Sequence, residues 1–181
     1  MKNKGFTLLE ITVVISIITL LSTIFLANYR QGEKNFALQR SAHQLAQDLR
    51  RAQEMTMAGR EFKGKFQGGY GIHLVKGTGE YILFIDCDDD DVFDEGNTTC
   101  DNFGTEDILI EEVSRFSLEE GITIKEILPS SPFLDIKFYP PDPSTTITPA
   151  PANDSATITL TFGGASEKKV IINTAGLIEI E

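Results

Sequence analysis

Apolar residues fill the start of the chain almost without interruption. From Phe6 to Leu26 the sequence has no Lys, Arg or Asp, and its one acidic residue is Glu10. A helix of this length, at about 1.5 Å per residue, covers about 31 Å, which matches the hydrocarbon core of a bilayer. The pattern predicts that residues 6–28 form the membrane-spanning N-terminal half of a helix.

A secretory signal peptide is the alternative interpretation of the same run. It would have a shorter apolar region followed by a small-residue cleavage site, for which Ser22, Thr23 and Ala27 are weak candidates. The apolar periodicity continues beyond the run without a break, which favours a retained anchor. Because Lys2 and Lys4 precede the run, the positive-inside rule places the N-terminus in the cytoplasm and the rest of the chain outside it.

A second apolar pattern, with spacings of three and four residues, follows the first. Its members are Leu38, Ala42, Leu45, Leu49, Ala52 and Met55. Polar residues lie between them, as expected for a helix with one apolar face. No proline precedes Pro129, and Gly59 is suited to end the helix. Residues 29–59 are therefore predicted to form the amphipathic half of one long helix.

The period changes to two after Gly59, which predicts β-strands. The predicted strands are 70–75, 80–86, 108–113, 122–127, 133–138, 156–162, 168–172 and 177–180. The proline-rich stretch PPDPSTTITPAPAND between the fifth and sixth strands is predicted to be a loop. Because an antiparallel sheet must bury its apolar face, we expect an α+β fold. In it, the long N-terminal helix packs on an antiparallel β-rich head, residues 60–181.

Composition narrows the range of functions. With 181 residues and 41% hydrophobic content the chain can bury one modest core, and its net charge of −11 argues against nucleic-acid binding. His43 and His73 have no nucleophile motif beside them, and neither a phosphate loop nor HExxH occurs. The sequence therefore does not indicate an enzyme.

The N-terminal stretch KGFTLLEITVVISII resembles the start of type IV pilin-like proteins, which include the pilins and the pseudopilins of type II secretion. Gly5, Phe6 and Glu10 match that motif. The resemblance implies that a prepilin peptidase removes residues 1–5 as a leader, cutting between Gly5 and Phe6, and methylates the new amine of Phe6. It also implies a lollipop shape, single-pass anchoring in the inner membrane and later assembly into an extracytoplasmic filament. The implied partners are other pilin or pseudopilin subunits, the peptidase and an inner-membrane assembly platform.

Two segments of the head resemble the minor pseudopilin group of GspH and FimT. They are YGIHLVKGTGEYILFIDCDDDDVFDEG and KKVIINTAGLIEIE. This similarity implies a minor structural subunit. A filament-associated binding module, for DNA uptake as in FimT or for surface adhesion, is the alternative. Lys168 and Lys169 lie where FimT-like proteins bind DNA, although the charge around them is acidic.

Glu10 has two interpretations. In the structural interpretation, the Glu10 side chain lies near the cytoplasmic end of the span and reaches water. A carboxylate at the centre of the span would instead cost about 2.5–3.5 kcal/mol on insertion scales. In the functional interpretation, Glu10 of one subunit pairs with the processed Phe6 amine of its neighbour. Since either charge is costly when buried alone, the pair would set the register of assembly.

The acidic loop after the second predicted strand also has two interpretations. Asp86, Asp88 and Asp90 alternate in a D-x-D-x-D pattern of hard oxygen ligands, which makes Ca²⁺ the candidate cofactor. The Gly and Glu of an EF-hand loop are replaced by Asp91 and Asn97, so a solvated acidic turn is the alternative.

The chain has two cysteines, and they flank the acidic loop. If the head lies outside the cytoplasm, Cys87 and Cys100 can form a disulfide, which would stabilise the fold by about 3 kcal/mol. Two free thiols are the alternative.

Overall fold

The computed structural model describes residues 5, 7–61, 69–87, 90–95, 98–99, 108–109, 111–140, 144–164 and 166–181, with no side-chain description for 26–31, 98–99 and 108–109. Its contacts divide the chain into two compact units, Met1–Phe36 and Ala37–Glu181. Helix α1 (Leu8–Met57) begins in the first unit and ends in the second.

The first unit consists of the N-terminal part of α1. Its sequence is apolar with a few hydroxyl residues, and three of its threonines bond within the helix. Thr12 donates to the Leu8 and Leu9 carbonyls, Thr19 to Ile15, and Thr23 to Thr19. Because each bond stays within the helix, these three threonine hydroxyls do not need an outside partner.

The second unit begins with the amphipathic part of α1. The six apolar residues of the predicted stripe are all buried, and Ala46 is buried with them. At 3.6 residues per turn these positions fall on one face. The prediction that this half of the helix packs its apolar stripe on the head is confirmed.

Among the described residues, eleven strands follow the helix. They are β1 (Tyr70–Val75), β2 (Glu80–Ile85), β3 (Thr98–Thr99), β4 (Ile108–Leu109), β5 (Glu112–Ser117), β6 (Ile122–Leu128), β7 (Phe133–Phe138), β8 (Thr145–Thr148), β9 (Ser155–Phe162), β10 (Ser166–Asn173) and β11 (Ile178–Ile180). They form a five-stranded sheet in the order β5-β2-β1-β7-β8, a four-stranded sheet in the order β11-β10-β9-β6, and the short pair β3-β4. Every pairing is antiparallel.

One core joins the helix and both larger sheets. The stripe of α1 packs with Ile72, Leu83 and Phe138 from the five-stranded sheet and with Ile158 and Ile172 from the four-stranded sheet. These strand residues lie at alternate positions, as expected for a sheet with one buried face. The predicted α+β class is confirmed.

One loop prediction is wrong and one strand prediction is extended. The proline-rich stretch is not wholly a loop, because β8 forms within it and pairs with β7 at the edge of the sheet. Its four residues contain no proline, and an edge strand needs partners on one side only. The range 108–113 contains β4 and the start of β5, and β5 continues beyond it to Ser117, paired with β2. In β5, polar residues such as Arg115 and Ser117 interrupt the apolar alternation. This is possible because β5 is also an edge strand.

Candidate functional site

The start of α1 is organised around Thr7. The backbone N–H of Glu10 donates to the Thr7 hydroxyl at 3.3 Å and to the Thr7 carbonyl at 3.1 Å. Thr7 is thus the N-cap, and Glu10 occupies the third helical position, the spacing of a T-x-x-E capping box. Gly5 is exposed just before this cap, and Phe6 lies outside the described residues.

Glu10 itself is exposed, and its position is electrostatically suitable. It is the acidic residue in the first turn of α1, where the positive end of the helix dipole favours a carboxylate. Of the described residues, it is the one charged side chain between Leu8 and Phe25. The carboxylate therefore sits at the start of an otherwise uncharged helix surface.

The apolar side chains beyond Glu10 are exposed in the part of the chain that the structure describes. Every large apolar side chain from Leu8 to Phe25 is at least 50% exposed, and Leu8 reaches 82%. This segment is long and apolar enough to cross a membrane by length and composition. An apolar surface of this size requires an environment outside the chain, which can be lipid or other protein.

Comparisons with known proteins bear on this N-terminal segment. The chain is similar to the crystal structure of the type IV minor pilin FimU from Pseudomonas aeruginosa. The match covers 80% of this chain and 92% of the FimU chain, with 16% sequence identity and a TM-score of 0.46. A search of curated protein sequences gives no match. The prokaryotic N-terminal methylation motif matches residues 1–26.

Within this motif, sequence reasoning identified Gly5, Phe6 and Glu10 but missed Thr7. The signal was present, because Thr followed three positions later by Glu at the start of an apolar run is typical of a helix N-terminus. The structure adds that Thr7 fixes where α1 begins. The cleavage, methylation and assembly roles of the other three residues stay predictions.

The acidic loop has a different organisation from the predicted calcium site. The Oδ2 atom of Asp86 accepts a hydrogen bond from Lys137 Nζ at 2.6 Å and one from the Asp91 N–H at 2.9 Å. Asp90 Oδ1 accepts from the Val92 N–H at 2.9 Å. Asp88 lies outside the described residues, and among those described no three acidic, His or Cys residues form a metal-binding group. An ammonium group therefore occupies the position beside Asp86, and calcium binding stays a prediction.

A second buried carboxylate, on Glu111, anchors the same loop. Its Oε1 atom accepts from the Cys87 N–H at 3.2 Å and its Oε2 atom from the Asp94 N–H at 3.0 Å. Glu111 is completely buried, so these two bonds fix both ends of the segment between Cys87 and Asp94. Sequence reasoning missed both Glu111 and Lys137.

Cys87 is buried and disulfide-bonded. Cys100, the other cysteine of the chain, lies outside the described residues. The pairing of the two therefore stays a prediction, while the bonded state of Cys87 fits an oxidising environment.

His73 belongs to the outer face of the five-stranded sheet. Its Nδ1 atom lies 2.6 Å from Asp135 Oδ1, and its ring centroid lies 4.8 Å from that of Phe93. Burial raises the pKa of Asp135, and the hydrogen bond from His73 opposes the rise. This arrangement attaches the acidic loop to the sheet through Phe93, which also packs against Phe84.

Proposed function

We propose that this protein is a minor subunit of a type IV pilus or a type II secretion pseudopilus. A prepilin peptidase removes residues 1–5 and methylates the Phe6 amine, and the subunit then assembles through the N-terminal part of α1. The observation that carries the proposal is an exposed apolar helix surface with Glu10 at its start, inside the segment that matches the N-terminal methylation motif.

The exposed surface fits two successive environments. Before assembly, the segment from Leu8 to Phe25 lies in the inner membrane, where its internally bonded Thr hydroxyls need no water. After assembly, the same side chains pack against equivalent helices of neighbouring subunits. Both environments are apolar, so transfer from lipid to filament does not require the helix to change its surface.

Glu10 supplies the specificity that apolar packing lacks. Cleavage after Gly5 creates a positive amine on Phe6, four residues before Glu10. Attraction between opposite charges is strong at low dielectric, and an unpaired buried charge is costly. A neighbour that offers its Phe6 amine to Glu10 therefore fixes one register and disfavours the others.

The head supports the narrower assignment to the minor subunits related to GspH and FimT. The paired strands β1 and β2 and the final turn between β10 and β11 contain the two segments that resemble this group. The bonded state of Cys87 is consistent with a head outside the cytoplasm.

The assembly role of Glu10 can be tested by substitution in the full-length protein. We expect Glu10→Ala to be cleaved normally but incorporated into filaments at a small fraction of the parental level. Glu33→Ala is the matched control, because Glu33 is an exposed acid on the same helix and should have no effect. Incorporation is measured as the labelled subunit in sheared, sedimented filaments. Parental incorporation of a correctly processed Glu10→Ala variant would contradict the proposal.

A further inference from the structure

Lys137 is a buried amine held between two carboxylates in the head. Its side chain and that of Asp86 are both completely buried. Lys137 Nζ lies 2.6 Å from Asp86 Oδ2 and 2.9 Å from Asp91 Oδ1, and 4.3 Å from the centre of the Tyr139 ring. The Tyr139 hydroxyl donates to Asp91. Such a group, with a buried amine and a buried acid in contact and a second, partly exposed acid beside the amine, is suited to amide formation.

The surrounding backbone is shaped to admit the lysine stem. Lys137 lies on β7 and Asp86 follows β2, with β1 between the two strands. Gly69 directly precedes β1, and a Cβ there would lie 3.4 Å from Lys137 Cε and 2.2 Å from the Phe138 carbonyl oxygen. Its φ of +148° also favours glycine. The absence of a side chain at Gly69 lets the lysine cross β1 and reach Asp86.

We propose that Lys137 and Asp86 form an intramolecular isopeptide bond after the head has folded. Asp91 relays one proton from the Lys137 ammonium to the Asp86 carboxylate, and the neutral amine then attacks Cγ of the resulting carboxylic acid. The new bond joins Nζ to Cγ, the bond from Cγ to one carboxyl oxygen breaks, and that oxygen leaves as water with protons delivered through Asp91. The ammonium and the carboxylate are thus converted into one amide and one water molecule, with no oxidant or cofactor.

The structure provides two of the conditions that the step requires. Packing holds the amine beside the carboxyl group, which removes the entropy of bringing the reactants together. Conversion of two buried charges into a neutral amide also removes the desolvation penalty of the ion pair. The product links β2 to β7 across β1 and fixes the acidic loop, so that the sheet resists being pulled apart along the chain.

Mass spectrometry of the purified, reduced full-length protein tests the proposal. We expect the intact mass to fall short of the sequence mass by one water molecule, beyond any change from N-terminal processing. Tryptic digestion should give a branched peptide joining the segments around Asp86 and Lys137, with no cleavage after Lys137. Lys137→Arg, which keeps the positive charge but cannot form the amide, should show the full sequence mass.

The role of Asp91 is tested with Asp91→Asn, which keeps both reacting groups. Because a general base contributes roughly 10²–10⁴-fold, we expect the cross-linked fraction to fall by at least about tenfold. The wild-type mass decides the proposal even if a variant fails to fold. A folded wild-type protein with the full mass and ordinary cleavage after Lys137 would show an ion pair only and overturn it, without affecting the proposed role in filaments.

Discussion

Truncation of Leu49 to alanine tests the packing of α1 on the two sheets. Leu49 is completely buried, in the middle of the apolar stripe. Removal of a leucine side chain from a core loses its transfer free energy and leaves a cavity, at a cost of about 2–5 kcal/mol. Both neighbours in the stripe, Leu45 and Ala52, are also completely buried and belong to a rigid helix. We therefore expect little collapse around the cavity and a loss in the upper half of that range.

The loss is measurable because it is a large part of the stability of a single head, which is usually about 5–15 kcal/mol. The assay is urea unfolding of the detergent-solubilised chain, followed by the β-sheet circular dichroism of the head. Gln47→Ala is the matched control, since Gln47 is an exposed residue of the same helix and should change the free energy by less than about 0.5 kcal/mol. Equal, small losses in the two variants would refute the packing described here.

Three further predictions concern polar contacts of the head. The Tyr81 hydroxyl donates to Asp48 Oδ2 at 2.5 Å, so a double-mutant cycle of Tyr81→Phe with Asp48→Asn should give a coupling of about 1–2 kcal/mol; additive effects would contradict the bond. Burial raises the pKa of Asp135. The contribution of protonated Asp135 to the free energy of unfolding is therefore lost as pH rises through that raised pKa. Asp135→Asn should therefore gain stability relative to the parent as pH rises above the ordinary pKa of an aspartate, and a pH-independent difference in unfolding free energy would count against this. The exposed Arg40 hydrogen-bonds Glu119 and lowers the pKa of that carboxyl group. The effect of Arg40→Ala on unfolding should thus shrink in acid and in high salt, and an effect that persists in both would be inconsistent with an ion pair.

Periodicity was sufficient to predict much of the fold. The stripe of α1 and the strands of the core alternate or repeat because each buries one face, and burial constrains residue type directly. Edge strands are less constrained, which explains why β8 was taken for a loop and why the strand predicted over 108–113 ended before Ser117. Their residues are polar on the solvent side and need pairing on one side only.

The candidate site at the N-terminus was predictable because its signal is local. The leader, the span, Glu10 and the T-x-x-E spacing at Thr7 are all contained in a short stretch. The buried charges of the head are different. Lys137 and Glu111 occupy positions that a surface residue could equally fill, and the partners of Lys137 lie 46 and 51 residues away in the sequence. Only the sheet order brings such groups together.

The mass of the mature protein, extracted from membranes of cells with an active prepilin peptidase, tests the central claim most directly. The account predicts an N-terminal peptide that begins at Phe6 and carries one methyl group on its amine. A chain that still begins at Met1 or Lys2 in those cells would contradict it, because neither the Phe6 amine nor its pairing with Glu10 could then exist.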